Sequence, residues 1–194
     1  IAASITPGYD WVIVDGNLEK DPLAKIVSYL DSGVFGVFGC TVMPGPQLKQ
    51  AIPITRTIRE RFPQVKIVWG GYFASNQYKS VINSGYVDVI INGPGDYAFP
   101  KLLEHFNTNQ PYHNINNLIF REGDEIVITT KDSLYDQDKL NDLPYDKLNT
   151  FYPIARYLGK SYLGSKTIAY HSSFGCPFTC SFCAVVPIYN AKWK

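Results

Sequence analysis

Residues 65–71 read Val-Lys-Ile-Val-Trp-Gly-Gly, a short apolar run that ends in two glycines. Runs of this kind, rich in β-branched residues and without polar alternation, are typical of parallel strands buried on both faces. Three further runs share the pattern: Trp11–Val14, Val34–Phe38 and Val87–Ile91. Helical patterns lie between them, so the sequence predicts an α/β fold built on a doubly wound parallel sheet.

The helices between these strands are predicted from apolar stripes and from capping residues. Asp21 can cap one helix, with Pro22 at its first position. A second stripe covers residues 48–62 and contains Pro53, which predicts either a kink or a late start. Asp96 is expected to cap a further helix that buries the apolar residues following it.

Glycines follow three of the predicted strands, at what should be one edge of the sheet. They are Gly39, Gly70, Gly71, Gly93 and Gly95. Ligands of doubly wound sheets bind beyond the carboxyl ends of the strands, and glycine lets a backbone approach a ligand closely. The pattern therefore predicts a ligand site at this edge, with ordinary tight turns as the alternative.

The alternation of strand and helix patterns ends after Pro111. Two short apolar runs flank Gly123 and predict a hairpin, and the polar stretch Asp132–Thr150 predicts a linker or an extended wrap. Lys166–His171 is then predicted as a strand that leads into three cysteines. The expected parts are residues 1–110 as a first domain, 111–160 as hairpin and linker, and 161–194 as the start of a second domain.

Composition excludes several classes of protein. The chain has 194 residues, is 45% hydrophobic and 18% charged, and carries a formal net charge of +1 with scattered basic residues. This argues for a globular chain and against a nucleic-acid footprint. No apolar run is long enough to span a bilayer and no export signal is found, so a cytoplasmic location is predicted. Because Ile1 replaces an initiator Met, the chain is expected to be truncated.

The strongest chemical signal is the string Gly-Cys-Pro-Phe-Thr-Cys-Ser-Phe-Cys at residues 175–183. Its three thiols, Cys176, Cys180 and Cys183, can serve three irons of a [4Fe–4S] cluster and leave the fourth iron open for a chelating ligand. A zinc site completed by His171 is an alternative, although structural zinc sites commonly use two ligand pairs. A disulfide would leave an odd thiol. Cys40 is expected to be a buried, inert thiol.

The C-x3-C-x2-C string resembles the signature of the radical S-adenosylmethionine superfamily, in which this loop follows the first strand of a partial (β/α) barrel. Phe182 fills the aromatic position that lies near the adenine of S-adenosylmethionine in the superfamily. Many members have Arg where this chain has Phe174. The resemblance implies that a cluster on Cys176, Cys180 and Cys183 cleaves S-adenosylmethionine to methionine and a 5′-deoxyadenosyl radical.

The first domain resembles the cobalamin-binding domain that precedes the barrel in one branch of this superfamily. The resemblance implies cobalamin contacts at six positions: Thr41, Met43, Gly70, Gly71, Gly93 and Gly95. No Asp-x-His-x-x-Gly motif is found, and its place would follow a first strand that precedes Ile1. A flavodoxin-like or Rossmann-like domain kept for packing or partner contact is the alternative.

The whole resemblance implies an enzyme that transfers a methyl group to, or rearranges, an unactivated small-molecule substrate. It also implies a one-electron donor such as flavodoxin or ferredoxin. Since 11 residues follow Cys183, the fragment alone is expected to be inactive. The rival hypothesis is a non-catalytic cobalamin- or nucleotide-binding module with a remnant or zinc-binding cysteine loop.

Overall fold

The computed structural model describes residues 1–5, 8–132, 137–139, 141–169 and 173–194. Five strands form one sheet in the order β1-β2-β3-β4-β5. Their bounds are β1 Val37–Thr41, β2 Lys66–Gly70, β3 Val89–Ile91, β4 Leu118–Glu122 and β5 Glu125–Ile128. The first three strands are mutually parallel, whereas β4 and β5 each run antiparallel to the strand before.

Helices connect and cover these strands. Within the described residues they are α1 Pro22–Asp31, α2 Pro46–Arg61, α3 Gly71–Asn76, α4 Tyr78–Asn83, α5 Ala98–Thr108, α6 Tyr145–Phe151 and α7 Val185–Tyr189. Short 3-10 turns occupy Ala2–Ser4, Gln137–Lys139 and Ile154–Tyr157.

The sheet is covered on both faces because successive strand residues point in opposite directions. Ile67, Trp69 and Ile90 lie in one core with residues of α1, α2, α3 and α4. Val68 and Val89 lie in a second core with α5. The predicted α/β class with a largely parallel sheet is thereby confirmed, and the predicted hairpin forms the antiparallel edge of the same sheet.

Two of the predicted strands start later than expected, and one is wrong. Val34 is 67% exposed and β1 begins only at Val37; β3 likewise begins at Val89. Trp11–Val14 forms no strand in the described structure, although its residues are partly buried. An apolar β-branched run predicts burial, but a strand also needs a partner backbone, and this segment instead lines a cleft.

The helix ends test the predicted caps. The Ala24 amide donates to Asp21 Oδ1 at 2.9 Å, which confirms the cap of α1. The expected cap of α5 is wrong, because α5 begins after Tyr97 and has no side-chain cap. A late start of α2 is also wrong, since α2 runs from Pro46 through Pro53.

The strand predicted at Lys166–His171 is partly observed. β7 covers Gly164–Thr167 and pairs antiparallel with β6, Gly159–Ser161. Tyr170–Ser172 lie outside the described residues. The described part of this strand therefore belongs to a two-stranded hairpin.

Candidate functional site

Backbone hydrogen bonds link the segments at the carboxyl ends of β1 and β2. The Val42 amide donates to the Gly70 carbonyl at 3.0 Å, and the Phe73 amide donates to the Val42 carbonyl at 3.1 Å. Gly71 has φ +87°, and a Cβ there would lie 3.0 Å from the Val42 carbonyl oxygen. A side chain at position 71 would thus be strained and would separate the two strand ends.

A large cleft opens at this edge and along β1, with a volume of about 1170 Å³. Four of the six predicted cobalamin contacts line it, namely Thr41, Gly70, Gly71 and Gly93. At Gly70 an added Cβ would meet only Ile91 Cβ, at 3.7 Å, so the backbone there is open to a neighbour. The structure therefore brings most of the predicted contacts to one cavity wide enough for a large ligand.

Met43 and Gly95 are not among the residues that line the cleft. Met43 is 40% exposed, and its amide donates to Gln47 Oε1 at 3.1 Å. A Cβ at Gly95 would lie 3.1 Å from Ile1 Cδ1. Position 95 is thus restricted by packing against the first residue of the chain.

The cleft walls are mainly apolar, and they include a thiol. Cys40 and Phe38, which pack against the same core, both line the cleft. Burial raises the pKa of the Cys40 thiol to about 12, so the group is a neutral thiol at neutral pH.

The cysteine loop is closed at its base by short antiparallel pairing. Phe174 and Lys194 exchange backbone hydrogen bonds of 2.8 and 3.0 Å, and the Cys176 amide donates to the Lys192 carbonyl at 3.0 Å. Gly175 has φ +82°, and a Cβ there would lie 2.1 Å from the Lys192 carbonyl oxygen. Only glycine fits between these two backbone segments.

The three thiols of the loop have the chemistry of cluster ligands. Cys176, Cys180 and Cys183 are free thiols; Cys180 is exposed and the other two are partly exposed. A turn links the last two, with the Cys183 amide donating to the Cys180 carbonyl at 3.1 Å. Three accessible thiols on one loop fit a [4Fe–4S] cluster with an open iron.

The described conformation does not draw these thiols together. Among the described residues, no three His, Cys, Asp or Glu side chains converge as metal ligands do. His171, the alternative zinc ligand, lies outside the described residues. Phe182 is 91% exposed, and so its ring is free to stack on a ligand.

A second pocket of about 490 Å³ lies between the loop and the sheet. Phe182 and Cys183 line it from the loop, Asn76 and Asn92 line it from the first domain, and Lys131, which follows β5, completes the lining. Burial lowers the pKa of the Lys131 ammonium. Sequence reasoning missed Lys131 and Asn76, because their positions carry no motif and only the tertiary fold brings them to the loop.

No helix in the described parts of the chain has the length and apolar character that a bilayer crossing requires.

Comparison with known proteins identifies relatives of two activities. No protein-family model matches the chain. It is 24% identical over 143 residues to the anaerobic magnesium-protoporphyrin IX monomethyl ester cyclase of Synechocystis sp., a match that covers 73% of this chain and 27% of the cyclase. It is 26% identical over 141 residues to the cobalamin-dependent radical SAM methyltransferase TokK of Streptomyces tokunonensis, covering 70% of this chain and 20% of TokK. The chain thus spans about a quarter of the length of these relatives.

The fold has a counterpart among solved structures. OxsB, a cobalamin-dependent S-adenosylmethionine radical enzyme solved with aqua-cobalamin and S-adenosylmethionine bound, superposes with a TM-score of 0.65 at 18% identity. The match covers 83% of this chain and 21% of OxsB. Two of these proteins, TokK and OxsB, are named as cobalamin-dependent radical S-adenosylmethionine enzymes, the branch that the cysteine spacing and glycine turns of this chain resemble.

Proposed function

We propose that the protein is a cobalamin-binding radical S-adenosylmethionine enzyme that transfers a methyl group to, or rearranges a ring of, an unactivated small molecule. The observation that carries the proposal is the meeting of two features in one fold. The C-x3-C-x2-C loop lies against the same end of the sheet at which Gly70, Gly71 and Gly93 line a large cleft. Relatives with cyclase and methyltransferase names support both reaction classes.

The loop residues have distinct roles in this proposal. Cys176, Cys180 and Cys183 would hold a [4Fe–4S] cluster, which when bound supplies the electron that cleaves S-adenosylmethionine to methionine and a 5′-deoxyadenosyl radical. The exposed ring of Phe182 would stack on the adenine. Gly175 keeps the first thiol at the base of the closed loop.

The cleft would bind cobalamin through the first domain. Open backbone at Gly70 allows close approach of a planar ring, and Thr41 offers a hydroxyl at the rim. The neutral Cys40 thiol and the aromatic wall keep this cavity apolar. Four of the predicted contacts support this placement; Met43 and Gly95 support it less, because neither lines the cleft.

The proposed function also includes an electron donor, a cytoplasmic location and a small-molecule substrate. A flavodoxin- or ferredoxin-like protein would supply the electron in the cytoplasm. A net charge of +1 without a basic cluster supports a small-molecule substrate and no nucleic-acid partner.

Anaerobic reconstitution of the complete natural polypeptide with iron and sulfide tests the catalytic part. We expect incorporation of a [4Fe–4S] cluster and reductive formation of 5′-deoxyadenosine from S-adenosylmethionine. Cys180→Ala should abolish 5′-deoxyadenosine, whereas Cys40→Ala should retain it. Uptake of zinc in preference to iron, or 5′-deoxyadenosine from Cys180→Ala, would instead support the rival binding module.

Spectroscopic titration with hydroxocobalamin tests the cleft. We expect saturable one-to-one binding by the natural protein and a loss of affinity of at least about tenfold in Gly70→Leu, because the new side chain enters the cleft. Gly159→Leu is the matched control, since an added Cβ there meets nothing within 4 Å and Gly159 lies in β6. Equal affinity of all three proteins would contradict cobalamin binding at this cleft.

A further inference from the structure

The helix that follows the cysteine loop is seated on the carboxyl edge of the sheet. Ile188 of α7 is only 5% exposed, and α7 packs closely on the loop after β3. A Cβ at Gly93 would lie 3.3 Å from the Ile188 carbonyl oxygen and 3.4 Å from Lys131 Cε. The absence of a side chain at position 93 therefore lets α7 approach the sheet.

Two side chains from outside the cysteine loop, Asn76 and Lys131, bind the backbone of α7 and of the residue before it. At the start of α7, Asn76 Nδ2 donates to the Ala184 carbonyl at 3.2 Å. At its middle residue, Lys131 Nζ donates to the Pro187 carbonyl.

Lys131 also binds back into the first domain. Its Nζ donates to Asn92 Oδ1 at 3.0 Å, and Asn92 is 8% exposed in the loop directly after β3. One ammonium thus bridges the end of the sheet and the helix after the cysteines. Hydrogen bonds from charged donors are stronger than those between neutral groups, and partial burial excludes competing water.

The side-chain amide of Asn76 is also directed at α7. Its Nδ2 is used by Ala184, while its Oδ1 is buried without a hydrogen-bond partner among the described residues. The contact with Ala184 sets which way the Asn76 amide faces. The side chain therefore serves α7.

We propose that Lys131 and Asn76 are positioning residues that fix α7, and through it Cys183, relative to the glycine edge of the sheet. Cys183 lies two residues before α7, so a change in the seat of this helix moves the third thiol of the loop. The proposal deepens the proposed function, on which it rests for the identity of the two groups being aligned, a cluster on the loop and cobalamin in the cleft. Lys131 acts through α7 and does not touch the reacting atoms.

Hydrogen–deuterium exchange of the complete natural polypeptide tests the seat itself. We expect the peptide spanning residues 184–192 to exchange at least about tenfold faster in Lys131→Met, because a charge-assisted contact is lost. Lys131→Arg, which keeps a charged donor, should restore slow exchange. Lys101→Met is the matched control, since Lys101 is exposed on α5. Unchanged exchange in Lys131→Met would overturn the proposal.

A distance measurement in the reconstituted holoenzyme tests positioning as distinct from stability. With the cluster reduced and cobalamin in its paramagnetic cob(II)alamin form, pulsed dipolar spectroscopy reports their separation. We expect Lys131→Met and Asn76→Ala to broaden the distance distribution, and Lys131→Arg and Lys101→Met to keep it narrow. Faster exchange with an unchanged distribution would overturn the positioning role.

The two measurements separate the two proposals. Exchange at residues 184–192 requires neither cluster nor cobalamin, so it decides the seat of α7 even if no cluster forms. A natural protein that binds no cluster, yet shows faster exchange in Lys131→Met, would refute the proposed function and support the seat. Fast exchange in both the natural protein and the variant would refute the proposed fixing of α7 by Lys131 and Asn76. It would leave the proposed function untouched.

Discussion

Cys40 differs from the three loop cysteines in its surroundings. It lies in β1 and packs against the core, whereas Cys180 is exposed on the loop. Because only thiolate is nucleophilic, a thiol whose pKa is raised to about 12 by burial reacts slowly at neutral pH. The sequence predicted an inert thiol at this position, and the surroundings of the sulfur support that prediction.

We therefore predict selective alkylation of the cluster-free, reduced protein. Iodoacetamide at neutral pH should modify Cys180 at least about a hundredfold faster than Cys40, because Cys180 is exposed and burial raises the pKa of the Cys40 thiol. Peptide mapping by mass spectrometry after timed quenching measures both rates. Comparable labelling of Cys40 would show that its thiol is not held in the buried, neutral state.

The glycines show what residue-level prediction can and cannot deliver. The sequence correctly grouped Gly70, Gly71 and Gly93 at one edge, because parallel strands end together. It could not tell ligand approach from chain packing. At Gly93 and Gly95 the space that a side chain would fill is occupied by Ile188, Lys131 and Ile1, residues that are distant in sequence.

Helix α2 contains a residue that opposes its own structure. Pro53 lies inside the helix and is exposed, so it removes one backbone hydrogen bond without filling a core position. The helix persists because Ala51, Thr55 and Ile58 are buried on its inner face. Thr55 Oγ1 also accepts a hydrogen bond from Trp69 Nε1 at 3.0 Å.

We predict that Pro53→Ala stabilises the protein. The free energy of unfolding should rise by about 1–3 kcal/mol, because the amide of residue 53 regains a helical acceptor and the ring no longer crowds the preceding turn. Urea denaturation of the natural protein and the variant measures the difference. Ile52→Ala, at an exposed neighbouring position, is the control. A lower stability of Pro53→Ala would mean that the helix is adapted to the ring.

Side-chain burial and backbone hydrogen bonding together explain which elements were predicted correctly from the sequence. β2 and the hairpin β4–β5 match because their apolar runs coincide with backbone pairing. Trp11–Val14 has an equally apolar run and no strand, since periodicity records burial and not the presence of a partner strand. The cap of α1 depends on local residues and was predictable, whereas α5 begins one residue later than expected and leaves Asp96 outside the cap position.

At the scale of the molecule, residues 145–157 return to the N-terminal segment. Tyr152 is 5% exposed, and its hydroxyl donates to Glu19 Oε1 at 2.7 Å and accepts from the Asp15 amide at 3.0 Å. Tyr157 donates to Asp15 Oδ2 at 2.8 Å. The polar stretch predicted as a linker or wrap therefore leads into a clasp on the segment that lines the cleft.

This clasp predicts a pH dependence of stability. Hydrogen bonds from Lys25, and then from Tyr152, lower the pKa of Glu19 below its ordinary value of 4.5. The folded state thus binds fewer protons than the unfolded state near that pH. The stabilisation that ionised Glu19 gives the folded state is therefore fully present above pH 4.5. It is lost as the pH falls through the lowered pKa of the folded state. Glu19→Gln should be less stable at neutral pH and lose less stability on acidification.

Urea denaturation at a series of acidic and neutral pH values measures both curves. Glu104→Gln is the control, because Glu104 lies outside the clasp on α5. Parallel curves for the natural protein and Glu19→Gln would contradict the assigned role of Glu19.

The tight fit of Gly175 against Lys192 has a consequence for engineering. A library that randomises residues 173–184 to seek new reactivity would waste every variant altered at position 175, because any methyl group there collides with a peptide oxygen. Diversity belongs instead at Phe178, which is 69% exposed and has no assigned contact with the cluster or its ligand. The cysteine loop thus combines a position that accepts only glycine with an exposed position that accepts other side chains.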